Sequence, residues 1–152
     1  LIIYTDFEKH QLPLIEHLWN ENCKLHNKTS LYFEKEFDPS IFRKRLTAWD
    51  IIDIFRFTVA QVNSEIIGYC ISSVQREKGL IESLYINPTY RRQGVGRTLI
   101  ESHISWFKRY KCSEIEVTTV FGNEDAIEFY KSIGILPKTI TMRLSDKCTN
   151  DN

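Results

Sequence analysis

The sequence predicts an α+β fold, a mixed and mainly antiparallel sheet flanked by helices in the order ααβββαβαβ, with room for an additional N-terminal strand. Three observations lead there. Apolar residues recur at helical spacing through the first fifty positions. From Phe55 to Ile86 they alternate in strand fashion, broken twice by turn residues. Two strand–helix units then follow, and hairpin-linked strands combined with such units make an α+β sheet. The 152 residues suit one domain, in which about 70% of the unfolded chain's surface can be buried.

Leu12, Ile15, Leu18, Trp19 and Leu25, spaced at three, four and seven residues, predict the first helix. Asp38-Pro39-Ser40 opens the second: Asp38 can cap it, Pro39 suits its first turn, and Ile41, Phe42, Leu46 and Trp49 form its apolar stripe. Phe55, Phe57 and Val59 then begin a three-stranded meander, with turns expected at Asn63-Ser64 and Glu77-Lys78-Gly79 and strands at 66–74 and 80–86. Pro88, which has no N–H for a ladder, ends it. Val95, Leu99, Ile100, Ile104 and Phe107 mark a helix running to about Tyr110. The β-branched stretch 115–120 reads as a strand. A helix from Gly122-Asn123 carries Ala126, Ile127, Tyr130 and Ile133, with Glu124 and Asp125 at its positive end and Gly134 stopping it. Residues 139–144 alternate and read as a final strand.

Charge and composition exclude whole classes of function. Twenty Lys+Arg balance twenty Asp+Glu, so no basic excess is available to neutralise nucleic-acid phosphates. With 42% hydrophobic residues and 12% aromatics the chain is globular rather than disordered. No apolar run approaches the roughly 20 residues of a membrane span, and no basic, apolar leader opens the chain at Leu1, so a soluble protein is expected. Cys23, Cys70, Cys112 and Cys148 have neither CxxC spacing nor nearby histidines, which argues against disulfide or zinc frameworks and for a reducing cytoplasm. His10 and His17, seven apart with Glu21 beyond, lack the three or four converging ligands of a metal site. No metal is expected. His103, between Ile100 and Ile104, reads as a hydrogen-bonded, partly buried residue, and Cys70 as packing.

The balance is broken locally. Net charge is −2 over residues 1–82, +3 over 83–100 and −1 over 101–152. The basic stretch contains Arg91-Arg92-Gln93-Gly94-Val95-Gly96-Arg97, where a strand ends, a glycine-containing loop turns and a helix begins. Glycines allow backbone N–H groups to approach a ligand and a helix N-terminus favours anions, so this loop suits a phosphate. It fits neither GxGxxG nor the P-loop, and a solvated turn is the plain alternative.

Arg91-x-x-Gly94-x-Gly96 after Leu84-Tyr85-Ile86 resembles the acyl-CoA pyrophosphate loop of the GNAT family of N-acetyltransferases. Asn123-x-x-Ala126-x-x-x-Tyr130-x-x-x-Gly134 is similar to a second motif of that family, and the resemblance covers roughly residues 55–144. It implies one N-acetyltransferase domain over 1–152: acceptor-side helices over 1–54, an acyl-CoA-binding core over 55–144 and a tail over 145–152. It also implies acetyl-CoA as co-substrate. Backbone groups of Leu84, Tyr85 and Ile86 would pair with the pantetheine arm, the Ile86 N–H would polarise the thioester carbonyl, and amides from Arg92 to Arg97 would hold the pyrophosphate beside Arg91. Tyr130 would protonate the departing thiolate, with Asn123 hydrogen-bonding the cofactor. Arg92 stands where many members have glycine, which is read as a position that has no need of positive φ.

Three assignments have competing readings. Tyr130 lies on an apolar helix stripe, where an aromatic is ordinarily core, although a tyrosine can bury its ring and leave its hydroxyl at a cleft. Glu82, between Leu80 and Leu84, is the candidate general base because an apolar setting would raise a carboxylate's pKa, and a base in some polyamine-acetylating relatives stands there. It reads equally as a structural partner for an arginine, and water chains could replace it. The loop 27–37, with Tyr32, Phe33, Glu34 and Glu36, could seat a cationic amine or be ordinary solvated loop. The implied acceptor is a small-molecule amine. A protein lysine or N-terminus is the alternative, and a silent acyl-CoA sensor the non-enzymatic one. The short segment after Gly134 leaves the acceptor wall for a homodimer partner to complete.

Overall fold

Burying both faces of an alternating meander needs helices on each side, and the chain supplies two per face. A computed structural model describes residues 1–38 and 40–146. Its five strands lie in sequence order in one sheet: β1 (Ile3–Phe7), β2 (Ile54–Val62), β3 (Glu65–Gln75), β4 (Lys78–Ile86) and β5 (Glu114–Val117). The first four are antiparallel neighbours and β5 joins parallel to β4, so the expected class and the additional N-terminal strand are both present. The helices are α1 (Glu16–Thr29), α2 (Ile41–Asp50), α3 (Val95–Arg109) and α4 (Glu124–Ser132). Trp19, Phe42, Trp49, Phe57, Tyr69 and Ile71 form one core. Ile67, Cys70, Leu99, Ile100, Phe107 and Tyr130 form the other. No helix of the described residues is long and apolar enough to cross a membrane.

Local chemistry sets the boundaries. Pro13 interrupts the pattern that starts at Leu12, so Lys9–Ile15 is 3-10 and the α-helix proper begins at Glu16, whose N–H bonds the Pro13 carbonyl. Asp38 accepts the Ser40 N–H at 2.9 Å, one step ahead of α2. The expectation for Pro39 lies outside the described residues.

The second hairpin turn falls at Arg76-Glu77, both at positive φ, one residue before the expected place. Gly79 is therefore inside β4, where it serves packing rather than turning. A Cβ there would sit 2.6–2.9 Å from ring atoms of Phe107, which is fully buried. Gly79→Ala is expected to cost about 2 kcal/mol by overpacking, lowering the melting temperature by roughly 4–8 °C. An unchanged melt would show that α3 can move off the sheet freely.

The final strand does not form. Residues 139–144 join no ladder among the described residues, and Ile140, Met142 and Leu144 are 65–85% exposed. Alternation specifies a strand only when one face finds cover. Here Arg143 is instead drawn to the loop between α1 and α2, bonding Glu36 at 2.5 Å and lying over the Phe33 ring. The sheet consequently ends at β5.

Candidate active site

The site is made by two strands that part. β4 and β5 pair only from Lys78–Ile81 against Glu114–Val117, after which β5 ends and β4 runs on to Ile86. The Asn87 N–H donates to Ile67 O at 2.8 Å, and the register places Gly68 opposite Ile86. Hydrogen-bonded and non-bonded pairs alternate along an antiparallel ladder. The peptide groups of Leu84 and Ile86 therefore point away from β3, into the gap that β5 vacates, while those of Tyr85 point toward β3. The sequence reading treats these three residues alike; the ladder separates them.

Glu82 is the extra residue of a β-bulge, because Ile71 pairs with Ser83 and Ser72 with Ile81. The bulge turns its side chain into polar rather than apolar company. Ser73 Oγ donates to Glu82 Oε1 at 2.7 Å, and Arg45 Nη1 stands 3.8 Å from Oε2. Glu82 is thus an arginine's neighbour and also lines a cavity of about 230 Å³ at the fork, with Arg45, Leu80, Glu116 and Thr118 around it.

At the other end of the gap, Gly94 is the N-cap of α3 with φ +82° and no side chain to cap with. The first-turn N–H groups of Val95, Gly96 and Arg97 are left without intrahelical acceptors, as an anion site requires. Gly96 also admits α4, since a Cβ there would meet the Phe129 ring at 3.3 Å. Arg92 corrects the sequence reading, for its φ is +61°. A left-handed arginine costs about 1–2 kcal/mol, so the loop needs this conformation whatever residue supplies it. The four arginine and glutamine side chains differ in role. Arg91 turns back, bonding Ile86 O at 2.9 Å and covering the Tyr85 ring. Arg97 is tied to Glu101 and Ser132, and Gln93 to the Thr89 carbonyl. Arg92 is exposed and has no ion pair among the described residues. Arg92→Gly is expected to leave the melting temperature within about 2 °C, because relief of φ strain offsets added unfolded-state entropy. It should weaken CoA binding by roughly three- to tenfold, as calorimetry would measure; unchanged affinity would take this side chain out of the phosphate site.

Tyr130, 7% exposed, packs its ring in the core with Cys70 and against Phe129. No side chain of the described residues hydrogen-bonds its hydroxyl. Burial, reinforced by Cys70 and Tyr69, keeps that hydroxyl protonated far above its ordinary range. Asn123 caps α4 by accepting the Ala126 N–H at 3.1 Å, which uses its carbonyl and leaves its amide N–H₂. The cap is anchored to α1. Leu31 N–H bonds Phe121 O, Tyr32 stacks on Phe121, and a Cβ on Gly122 would collide with the carbonyl of Thr29, the last residue of α1.

Burial pushes the Cys70 thiol up to about 12, consistent with packing rather than nucleophilic chemistry. Of the loop 27–37, Phe33 and Glu36 are engaged by the chain's own Arg143. Arg45 and Phe121 were missed by sequence reasoning. Arg45 sits in an ordinary basic helix face, and nothing in its spacing signals the fork.

The model of the acetyltransferase (GNAT) family matches residues 16–135. This chain belongs to the GNAT family. It is 36% identical over 80 residues to N-alpha-acetyltransferase 30 of Dictyostelium discoideum, covering 50% of this chain and 43% of that one. It is 29% identical over 125 residues to an uncharacterized N-acetyltransferase of Methanocaldococcus jannaschii, covering 72% and 55%. The chain thus spans about half the length of the curated relatives it matches. Among solved structures, an aminoglycoside N-acetyltransferase in complex with CoA superimposes with a TM-score of 0.71 at 15% identity, covering 97% of this chain and 96% of that one. At that identity the likeness concerns the fold. The residues to which the sequence resemblance assigns the acyl-CoA arm and its pyrophosphate stand at the end of β4 and at the α3 N-terminus.

Proposed function

We propose that this chain transfers an acetyl group from acetyl-CoA to the primary amine of a small molecule by direct attack in a ternary complex. One observation carries the reading. The gap beside β4 has peptide groups of Leu84 and Ile86 that no neighbouring strand pairs along its wall, first-turn N–H groups of α3 without intrahelical acceptors at one end and Glu82 at the other. That arrangement can add an extended, amide-containing arm to the sheet edge with its phosphates on the helix and its acyl end at the fork. Arg91 already holds the Ile86 carbonyl, and the N–H groups of Leu84 and Ile86, both facing the gap, remain as donors for the thioester oxygen. The amine nitrogen attacks the carbonyl carbon, the C–S bond breaks, and the thiolate takes the Tyr130 proton. Glu82, or water beside it, receives the proton lost by the amine. Residues 55–144 act as the acyl-CoA core and 1–54 bound the acceptor. The chain works without a metal, and the exposed Leu136, Ile140, Met142 and Leu144 suit a homodimer that closes the acceptor wall.

A protein α-amine is the second reading, favoured by relatives named N-alpha-acetyltransferase and by the open sheet edge beside β5. The test is thiol release from acetyl-CoA with a panel of amino acids, polyamines, aminoglycosides and N-terminal peptides. Turnover on a small amine supports the first reading, and turnover on peptides alone the second. Acetyl-CoA binding without turnover on any amine would make the chain a sensor. Glu82→Gln is expected to reduce kcat/KM by ten- to a hundredfold at neutral pH. The deficit should shrink as pH rises and the amine loses its proton in solution; a constant deficit would make Glu82 structural.

A further inference from the structure

Among the arginines that meet polar partners, Arg45 is unusual. Arg56, Arg91, Arg97 and Arg143 place guanidinium nitrogens in hydrogen bonds of 2.5–3.4 Å. Arg45 makes no hydrogen bond among the described residues. Its near neighbour, Glu82 Oε2, is 3.8 Å away, beyond hydrogen-bond reach. Its side chain is 50% exposed and lines the cavity at the fork.

The rest of the cavity is better satisfied. Ser73 holds one Glu82 oxygen and Lys78 holds Glu116 at 2.8 Å. That leaves Glu82 Oε2 and the Arg45 guanidinium, 3.8 Å apart as a loose ion pair with no hydrogen bond between them, beside the second oxygen of Glu116. A ligand that brings an ammonium to Glu82 and a carboxylate to Arg45 completes both, the latter in the bidentate geometry that guanidinium provides. A polycation would satisfy Glu82 but leave the Arg45 guanidinium without an anionic partner from the ligand.

We infer that the acceptor is a primary amine carrying a carboxylate only a few bonds from its nitrogen, with Arg45 the residue that selects for the acid group. This rests on the acetyl-transfer reading above. Two sources share the chemistry, a free amino acid and a peptide whose first residue is acidic.

The experiment compares matched acceptors: alanine against alaninamide, and the peptide Asp-Ala-Ala amide against Asn-Ala-Ala amide. Steady-state kinetics would be run on wild type, Arg45→Gln and, as a control on the same helix, Arg43→Gln. Wild type should favour the acid member of one pair by at least about tenfold in kcat/KM, mainly through KM. Arg45→Gln should bring that ratio to about one, and Arg43→Gln should keep it. Preference in the amino-acid pair alone identifies a free amino acid, and in the peptide pair alone an acidic N-terminus. Turnover with equal rates for both members, or a preference that survives in Arg45→Gln, overturns the inference and leaves acetyl transfer standing. Absence of turnover on every amine overturns both.

Discussion

Tyr130→Phe is expected to lower kcat about a hundredfold while leaving the Kd for acetyl-CoA within a factor of about three. The ring is core and the phenylalanine ring keeps that packing, so the substitution removes one hydroxyl and little else. That hydroxyl has no hydrogen-bond partner to lose among the described residues, so folding should change by less than about 1 kcal/mol. Burial holds it protonated through neutral pH, which suits a donor that must still have its proton when the thiolate departs. Positioned acids contribute roughly 10²–10⁴-fold, and water entering the space left by the hydroxyl places the expected loss at the lower end. The measurement is single-turnover acetyl transfer together with calorimetry of CoA binding. If kcat is unchanged while both proteins melt alike, Tyr130 is only a core residue and another group protonates the sulfur.

The same residue marks how far the sequence could be read. Helical spacing from Ala126 to Ile133 places Tyr130 on the buried face of a helix, and the motif around it ties that helix to the cofactor. Both statements depend on short-range pattern, and the burial of Tyr130 on that helix is borne out. The meander is legible for the same reason, since alternation between turns is local. What was misread depends on contacts between distant segments. Residues 139–144 have a strand's alternation, yet Glu36, over a hundred residues away, holds Arg143 elsewhere. Gly79 looked like a turn residue because the helix that lies on it is far along the chain. Arg92 shows a different limit: residue type gives a preference for backbone conformation, and the loop before α3, which holds positive φ there, overrides it. Glu82 was visible as a candidate, whereas its bulge, its serine and its arginine were not, because register is settled between strands.

Acid should destabilise the fold through one buried histidine, with unfolding free energy about 3 kcal/mol lower at pH 4 than at pH 8. His103 is fully buried between α3 and the sheet. Thr58 donates its single hydroxyl proton to Asp6 at 2.6 Å, so it can only accept from His103 Nε2 at 2.8 Å. Neutral His103 then carries its proton on Nε2 and accepts from Ser72 at Nδ1, 2.7 Å away. Every group in the chain from Asp6 to Ser72 is satisfied without a charge on the ring. Burial, with Arg56 adding to it and Asp6 opposing, lowers the folded pKa to about 3. The unfolded chain binds this proton below about 6.5 and the folded one does not, so stability falls as pH drops through that window and the loss is complete near pH 3. Asp6 and Glu116 act in the same direction, yet their depressed values confine them to lower pH. His26, also lowered by burial, overlaps the window. The variant His103→Gln separates it, since an amide can donate to Thr58 and accept from Ser72 without titrating. Urea unfolding from pH 5 to 6.5 should give a slope shallower by up to 1.4 kcal/mol per pH unit in the variant. Equal slopes would place the acid sensitivity on His26 or elsewhere, and would mean that the buried chain from Asp6 to Ser72 takes up a proton with little cost.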